Sequence, residues 1–243
     1  MHRAQGRSDV LSRRSIAQVS TAAAILGAPM PYPPPVFLTA EKITRSFGAR
    51  RIFGPLSFEV EAGTVFGIAG RNGAGKTTLI KTLAGLIRPT SGKVLIASSR
   101  EPGAPLLSPR DAPLALGWAA PDLALYGELT PAENLAFFAK VRGEDDSPAR
   151  IAARIERVGL DPKRLDGVET RFLSTGMRQR LKLAFATLSK PTVLFLDEPS
   201  SNLDEAGRAI VAKVVAEQRR GGAVLIASND TRDLGLADEV LSL

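Results

Sequence analysis

A chain of 243 residues, 44% hydrophobic and 23% charged, is ordinary in composition and long enough to bury a core in one globular domain. It has no cysteine, and its single histidine is His2, so disulfides, cysteine-ligated zinc, multi-histidine metal sites and a catalytic histidine are all excluded. Of the net charge of +7, the first 35 residues carry +3 through Arg3, Arg7, Arg13 and Arg14 against Asp9; the remaining +4 or so does not announce a nucleic-acid partner, and none is expected.

In chain order, residues 1–35 read as a disordered basic tail. No apolar run spans a bilayer; the nearest, Ser15–Met30, is broken by Gln18, Ser20 and Thr21. With Ser12-Arg13-Arg14 ahead of it, this stretch faintly resembles a twin-arginine export signal. A basic leader, or a true start at Met30, is the plainer reading. Met30-Pro-Tyr-Pro-Pro-Pro35 then forms a stiff linker.

From Val36 onward apolar runs alternate with helical patterns. Strands are expected at Val36–Ile43, Leu56–Val60, Thr64–Ala69, Lys93–Ala97, Leu114–Trp118, Val193–Leu196, Ala223–Ala227 and Glu239–Leu243. Three of them are almost wholly apolar, as in central strands of a mainly parallel α/β sheet covered on both faces. Helices are expected at Thr78–Ile87, after the capping box Thr130-Pro-Ala-Glu133, from Ser147-Pro148 to about Val158, over Ser174–Ser189, and from Asp204 to Gly221-Gly222. The stretch from about Asp122 to Leu173 reads as all helix, hence a helical subdomain inserted into the α/β core.

Gly70-Arg71-Asn72-Gly73-Ala74-Gly75-Lys76-Thr77 has the spacing of a phosphate-binding loop, with an apolar strand before it and a helix after it at Thr78. The glycines let backbone N–H groups turn inward around phosphate oxygens, and the helix start adds partial positive charge. Lys76 is then the β,γ-phosphate contact and the Thr77 hydroxyl a Mg²⁺ ligand. Val193–Leu196 ends in Asp197 and Glu198. Many strands end in an acid at a turn. Behind a phosphate loop, however, Asp197 is placed for Mg²⁺ and Glu198 for polarising an attacking water.

Leu173-Ser174-Thr175-Gly176-Met177-Arg178-Gln179-Arg180 narrows the field, because it resembles the signature of ATP-binding-cassette (ABC) proteins, in the variant of export-type cassettes. Ser174 alone would be a helix N-cap, worth ~1 kcal/mol. The resemblance implies more: that Ser174 and Gly176 face the γ-phosphate of ATP held by a second ABC ATPase subunit, in a homo- or heterodimer. It covers nearly all of 36–243 and implies the P-loop NTPase fold, a mainly parallel sheet with an antiparallel β part. Phe47 stands where the family stacks an aromatic on adenine, although a strand phenylalanine in the core has the same sequence context. Pro199-Ser-Ser-Asn-Leu203-Asp204 matches the loop through which the two sites communicate.

Two positions depart from the family. Its usual glutamine after the strand ending at Trp118 is missing from Ala119-Ala-Pro121-Asp122, where Asp122 is the candidate substitute oxygen ligand for the metal. Its usual histidine after Ala227 is replaced in Ser228-Asn229-Asp230, and Asn229 offers an amide hydrogen bond to the γ-phosphate but no charge. The resemblance implies an ATPase that couples hydrolysis to transport, export by preference, through a separate integral membrane permease. It also places the chain in the cytoplasm, peripheral on the inner face of the membrane. A regulatory, degenerate cassette in a heterodimer is the alternative, and a soluble non-transport ABC ATPase acting on nucleic acid a more distant one.

Overall fold

The computed structural model describes residues 35–243. The tail, the twin-arginine likeness, the Met30 start and all but the last residue of the proline linker lie outside the described residues.

The strands form two sheets. An antiparallel sheet joins β1 (Val36–Phe47), β2 (Arg50–Glu61), β4 (Ser91–Ala97) and β5 (Leu106–Leu107) in the order β2-β1-β4-β5. A five-stranded sheet joins β3 (Val65–Ala69), β6 (Leu116–Ala119), β7 (Val193–Asp197), β8 (Ala223–Ser228) and β9 (Glu239–Ser242) in the order β6-β7-β8-β3-β9. All four pairings in this second sheet are parallel, as the apolar runs led one to expect.

Alternation along each strand divides the interior into two cores. Leu194, Leu196, Val224 and Ile226 point into one, with the buried faces of α4 (Thr175–Ala186) and α5 (Glu205–Gln218). Val193, Phe195, Ala223 and Leu225 point into the other, with β1, β4 and α1 (Lys76–Leu83). Each fully buried leucine or phenylalanine contributes about 2–3 kcal/mol. The contact between layers is close at Gly117 in β6, where a Cβ would overlap the carbonyl oxygen of Ala186 at the end of α4.

The structure corrects several expectations. β1 and β2 extend far beyond Ile43 and Leu56 and meet in a hairpin at Gly48-Ala49. Register shifts along this pair, with Lys42 at φ 46°, break the alternation by which a strand is recognised. Leu114 and Ala115 lie in a 3₁₀ turn ahead of β6. The two-residue β5 and the four-residue α6 (Thr231–Leu234) were not anticipated. The segment Asp122–Leu173 is not all helix: it holds α2 (Pro131–Val141), α3 (Pro148–Arg157) and a 3₁₀ turn at Thr170–Phe172. Buried Asn134 supplies the missing regularity. Its side chain accepts from Tyr126 N and donates to the carbonyls of Tyr126, Leu129 and Thr130 and to the Thr170 hydroxyl, pinning irregular backbone to α2.

Helix ends follow their caps. The Thr130–Glu133 capping box forms in full, and hydrogen bonding from the Thr130 backbone N–H, with a smaller part from the Thr130 side chain, holds the Glu133 carboxyl below its usual pKa. Ser174 Oγ accepts from Met177 N at 3.2 Å, and Asp204 Oδ1 from Gly207 N at 2.8 Å. Ser147 makes no such bond; Asp145 accepts from its N–H instead.

Candidate functional site

Parallel pairing brings the C-terminal ends of β3, β7 and β8 to one edge of the sheet, where ligands of such sheets bind. Ala69 lies opposite Ser228, and Asp197 opposite Ala227. One residue past each tip therefore stand Gly70, Glu198 and Asn229. On the outer side, Ala119 at the tip of β6 lies opposite Leu196.

The loop Gly70–Gly75 turns on two left-handed glycines, Gly73 at φ 81° and Gly75 at φ 104°. Gly75 is the N-cap of α1; a Cβ there would stand 2.6 Å from Ile52 Cγ2 on β2. Arg71, Asn72 and Gly73 are exposed, Ala74 and Thr78 half-buried. The first turn of α1 has neither a side-chain cap nor an acidic residue, so its N–H groups and dipole are free for an anion. Lys76 is buried; its ammonium donates to Gly70 O at 2.9 Å and Arg71 O at 3.4 Å, and lies 3.4 Å from Glu198 Oε1.

Next to it, the Thr77 hydroxyl lies close enough to the Asp197 carboxylate to favour its charged form. Burial pushes the Asp197 carboxyl above its usual pKa; the Thr77 hydroxyl opposes this, and the charges of Glu198 and Asp122 add to it. Asp197 Oδ1 is buried without a hydrogen-bond partner in the protein. A buried, unsatisfied carboxylate oxygen beside a threonine hydroxyl is a hard-oxygen pair that suits Mg²⁺, which takes one or two protein oxygens and fills its shell with phosphate and water. Among the described residues there is no cluster of three or more His, Cys, Asp or Glu able to hold a metal by themselves.

Glu198 has a left-handed backbone, φ 46°, at a cost of about 1–2 kcal/mol. Its N–H still donates to Ala227 O at 2.8 Å, and its Oε2 lies 3.1 Å from the buried Ser228 hydroxyl. Asn229 is exposed, and its amide donates to Asn72 Oδ1 across the phosphate loop at 2.9 Å. Asp122 is tied to Lys81 of α1 at 2.5 Å, close enough for its charge to be felt at Asp197. Lys182 of α4 donates to the carbonyls of Ala120 and Pro121, holding the same loop from the other side.

Phe47 is half exposed at the end of β1, outside the core, with the Arg45 guanidinium 4.2 Å from its ring centroid on one face. Ser174 is exposed at the start of α4. Gly176 lies against the loop after Glu198, where a Cβ would stand 3.3 Å from Asn202 O. The reading from sequence missed Ser200, Ser228 and Asp233. Only Ser200 and Ser228 carried a signal, their place beside motif residues.

A single sheet edge that offers free helix N–H groups, a lysine, and a threonine paired with a buried aspartate defines a P-loop nucleoside triphosphatase. The chain belongs to the ABC transporter family, whose ATP-binding cassettes hydrolyse ATP; the family model matches residues 53–201. It is 32% identical over 203 residues to the uncharacterized ABC transporter ATP-binding protein YybJ of Bacillus subtilis, covering 83% of this chain and 89% of that protein. Identity is 32% over 193 residues to the linearmycin resistance ATP-binding protein LnrL of the same organism, and 33% over 210 residues to the Fe(3+) ions import ATP-binding protein FbpC 1 of Rhodococcus jostii. These two matches cover 78% and 84% of this chain, but only 60% and 58% of those longer proteins. The solved structure of an ATP-binding subunit of an ABC transporter superposes with a TM-score of 0.73 at 25% identity, covering 85% of each chain.

Loss of Asn229 tests the departure from the usual histidine. We expect Asn229→Ala to lower the rate of ATP hydrolysis about fivefold, the worth of one neutral hydrogen bond of ~1 kcal/mol. A parental rate in a steady-state phosphate-release assay would remove Asn229 from the γ-phosphate's surroundings.

Proposed function

We propose that ATP bound at this site powers movement of a substrate, in the export direction, through a separate membrane permease, with two cassettes closing head to tail around the nucleotide. The observation that carries this reading is the combination of an uncapped helix N-terminus with Lys76 at one surface and the exposed Ser174–Gly176 helix start at another. One cassette offers half of an anion site twice, and a second copy or a related subunit completes both halves.

Lys76 and the α1 N–H groups hold the phosphates, Thr77 and Asp197 hold Mg²⁺, and Glu198 takes a proton from the attacking water. The cation's contribution is to neutralise charge on the phosphate oxygens. Asp122, with its charge near Asp197, is the proposed substitute for the family's glutamine, and Phe47 offers its free face to the adenine. No helix among the described residues is long and apolar enough to cross a membrane. The proposed docking place of the permease is the helical subdomain, where Tyr126 and Phe137 are half exposed beside a groove of about 220 Å³ lined by Leu123, Leu125, Arg171 and Arg178. The chain would then sit in the cytoplasm on the inner membrane face. The signature with Thr175 and Met177 supports export over import.

Affinity purification of the tagged chain from detergent-solubilised membranes of its native cell tests this. We expect a multi-spanning membrane protein in stoichiometric amount, lost on Tyr126→Glu. Recovery with ribosomes or DNA at physiological salt would overturn it. The absent histidine and glutamine favour one second reading, a regulatory cassette paired with an active one; recovery of a different cassette subunit, with no turnover until the two are mixed, is its mark.

A further inference from the structure

Four oxygen-bearing side chains form a chain of contacts behind the site. Asp233 of α6 is 3% exposed, and among the described residues no ion pair includes it. Its two carboxylate oxygens meet two hydroxyls: Ser200 donates to Oδ1, and Ser228 lies 2.8 Å from Oδ2. Ser228 is fully buried; its oxygen accepts from Asp230 N at 3.1 Å and lies 3.1 Å from Glu198 Oε2. A buried carboxylate without a cation is costly, and an apolar side chain of the same volume would serve packing more cheaply.

We infer that Asp233 is a positioning residue for hydrolysis: it holds the Ser228 and Ser200 hydroxyls and through them sets the Glu198 carboxylate and the loop that follows it. This inference rests on the reading of Glu198 as the base. The Ser228 hydroxyl has one hydrogen and two carboxylate neighbours. With that hydrogen drawn to Asp233 Oδ2, Glu198 Oε2 is left without a donor from Ser228, which keeps the carboxylate free to receive a proton. Ser200 extends the same hold to the turn after Glu198, which is closed by Ser201 N to Glu198 O at 3.1 Å and Leu203 N to Ser200 O at 3.2 Å. That turn leads to Asn202, whose carbonyl lies against Gly176 of the signature helix. Asp233 thus stands where the β8–α6 connection, the base and the loop touching the signature helix meet, although it reaches none of the phosphate-binding groups itself.

Asn is nearly isosteric with Asp, but its amide donates to Ser228 and turns that hydroxyl's hydrogen toward Glu198. The expected result for Asp233→Asn is a kcat lower by about tenfold with KM for ATP within twofold of the parent. Ser228→Ala should show the same split, and Asp233→Asn added to Ser228→Ala should cost clearly less than it does alone, because only its hold on Ser200 is then left to lose. Losses that multiply, a raised KM with parental kcat, or a parental kcat in Asp233→Asn would each overturn the inference. If Asp233→Asn does not fold, Ser228→Ala decides alone: a parental kcat overturns it. Glu198→Gln assayed alongside separates the two failures. An active Glu198→Gln removes the base assignment itself; an inactive Glu198→Gln beside a fully active Asp233→Asn removes only the role of Asp233.

Discussion

Glu198→Gln is expected to stop ATP turnover while leaving ATP bound. The amide keeps the shape of the side chain, but it cannot take a proton from water. A positioned general base contributes roughly 10²–10⁴-fold, so the loss should lie in that range. Affinity for ATP should hold or rise, since the substitution removes the carboxylate that pairs with Lys76 at 3.4 Å and competes with the phosphates. With hydrolysis blocked, ATP-bound dimers should accumulate and be visible by gel filtration at high protein concentration. Turnover within tenfold of the parent would place the base elsewhere.

Asp197→Asn is expected to abolish Mg²⁺-dependent hydrolysis and to make the protein more resistant to heat. Burial raises this carboxyl's pKa above its unfolded value, so the folded state favours the protonated form. Ionised Asp197 therefore costs stability at pH above its folded pKa, and the cost fades as the pH falls toward the ordinary carboxylate range. Asparagine carries no such cost. Each ~1 kcal/mol gained corresponds to roughly 2–4 °C in Tm for a domain of this size. Unfolding scans without Mg²⁺ should show the variant ahead at pH 7.5 and the gap narrowing at pH 5. Adding Mg²⁺ and ATP should stabilise the parent more than the variant, which keeps the phosphate loop but loses a metal ligand. A variant no more stable than the parent at either pH would mean that Thr77 and the surrounding dipoles already offset the burial.

What the sequence discloses and what it hides divide along physical lines. β3, β7 and β8 are buried on both faces and carry unbroken apolar runs, so their positions and the parallel sheet were readable. The phosphate loop was readable because backbone geometry at Gly73 and Gly75 restricts residue type. The β1–β2 hairpin was not, because its bulges and the charged run from Lys42 to Arg51 interrupt any period of two. Asn134 carries no signal in the sequence beyond its place in a capped helix, although its side chain ties Tyr126, Leu129, Thr130 and Thr170 to that helix. Asp233 was hidden for a related reason. A lone aspartate in a four-residue helix carries no pattern, and its meaning comes from Ser228 and from Ser200, 33 positions away. Asp122 and Phe47 were singled out by position relative to neighbouring motifs, while their partners, Lys81 and Arg45, were not foreseeable from spacing.

The pairing of Lys76 with Glu198 bears on how the site fills. A phosphate that takes the lysine exchanges one anion for another at a cation already desolvated and already aimed into the loop by Gly70 and Arg71. Little reorganisation of the lysine is then left for binding to drive, so affinity is not spent on shaping the loop. The same exchange releases the carboxylate from its counter-ion at the moment a triphosphate arrives. With Glu198 as the proposed base, its arming is thereby tied to occupancy, and a cassette without its phosphate partner keeps that carboxylate paired with its own lysine.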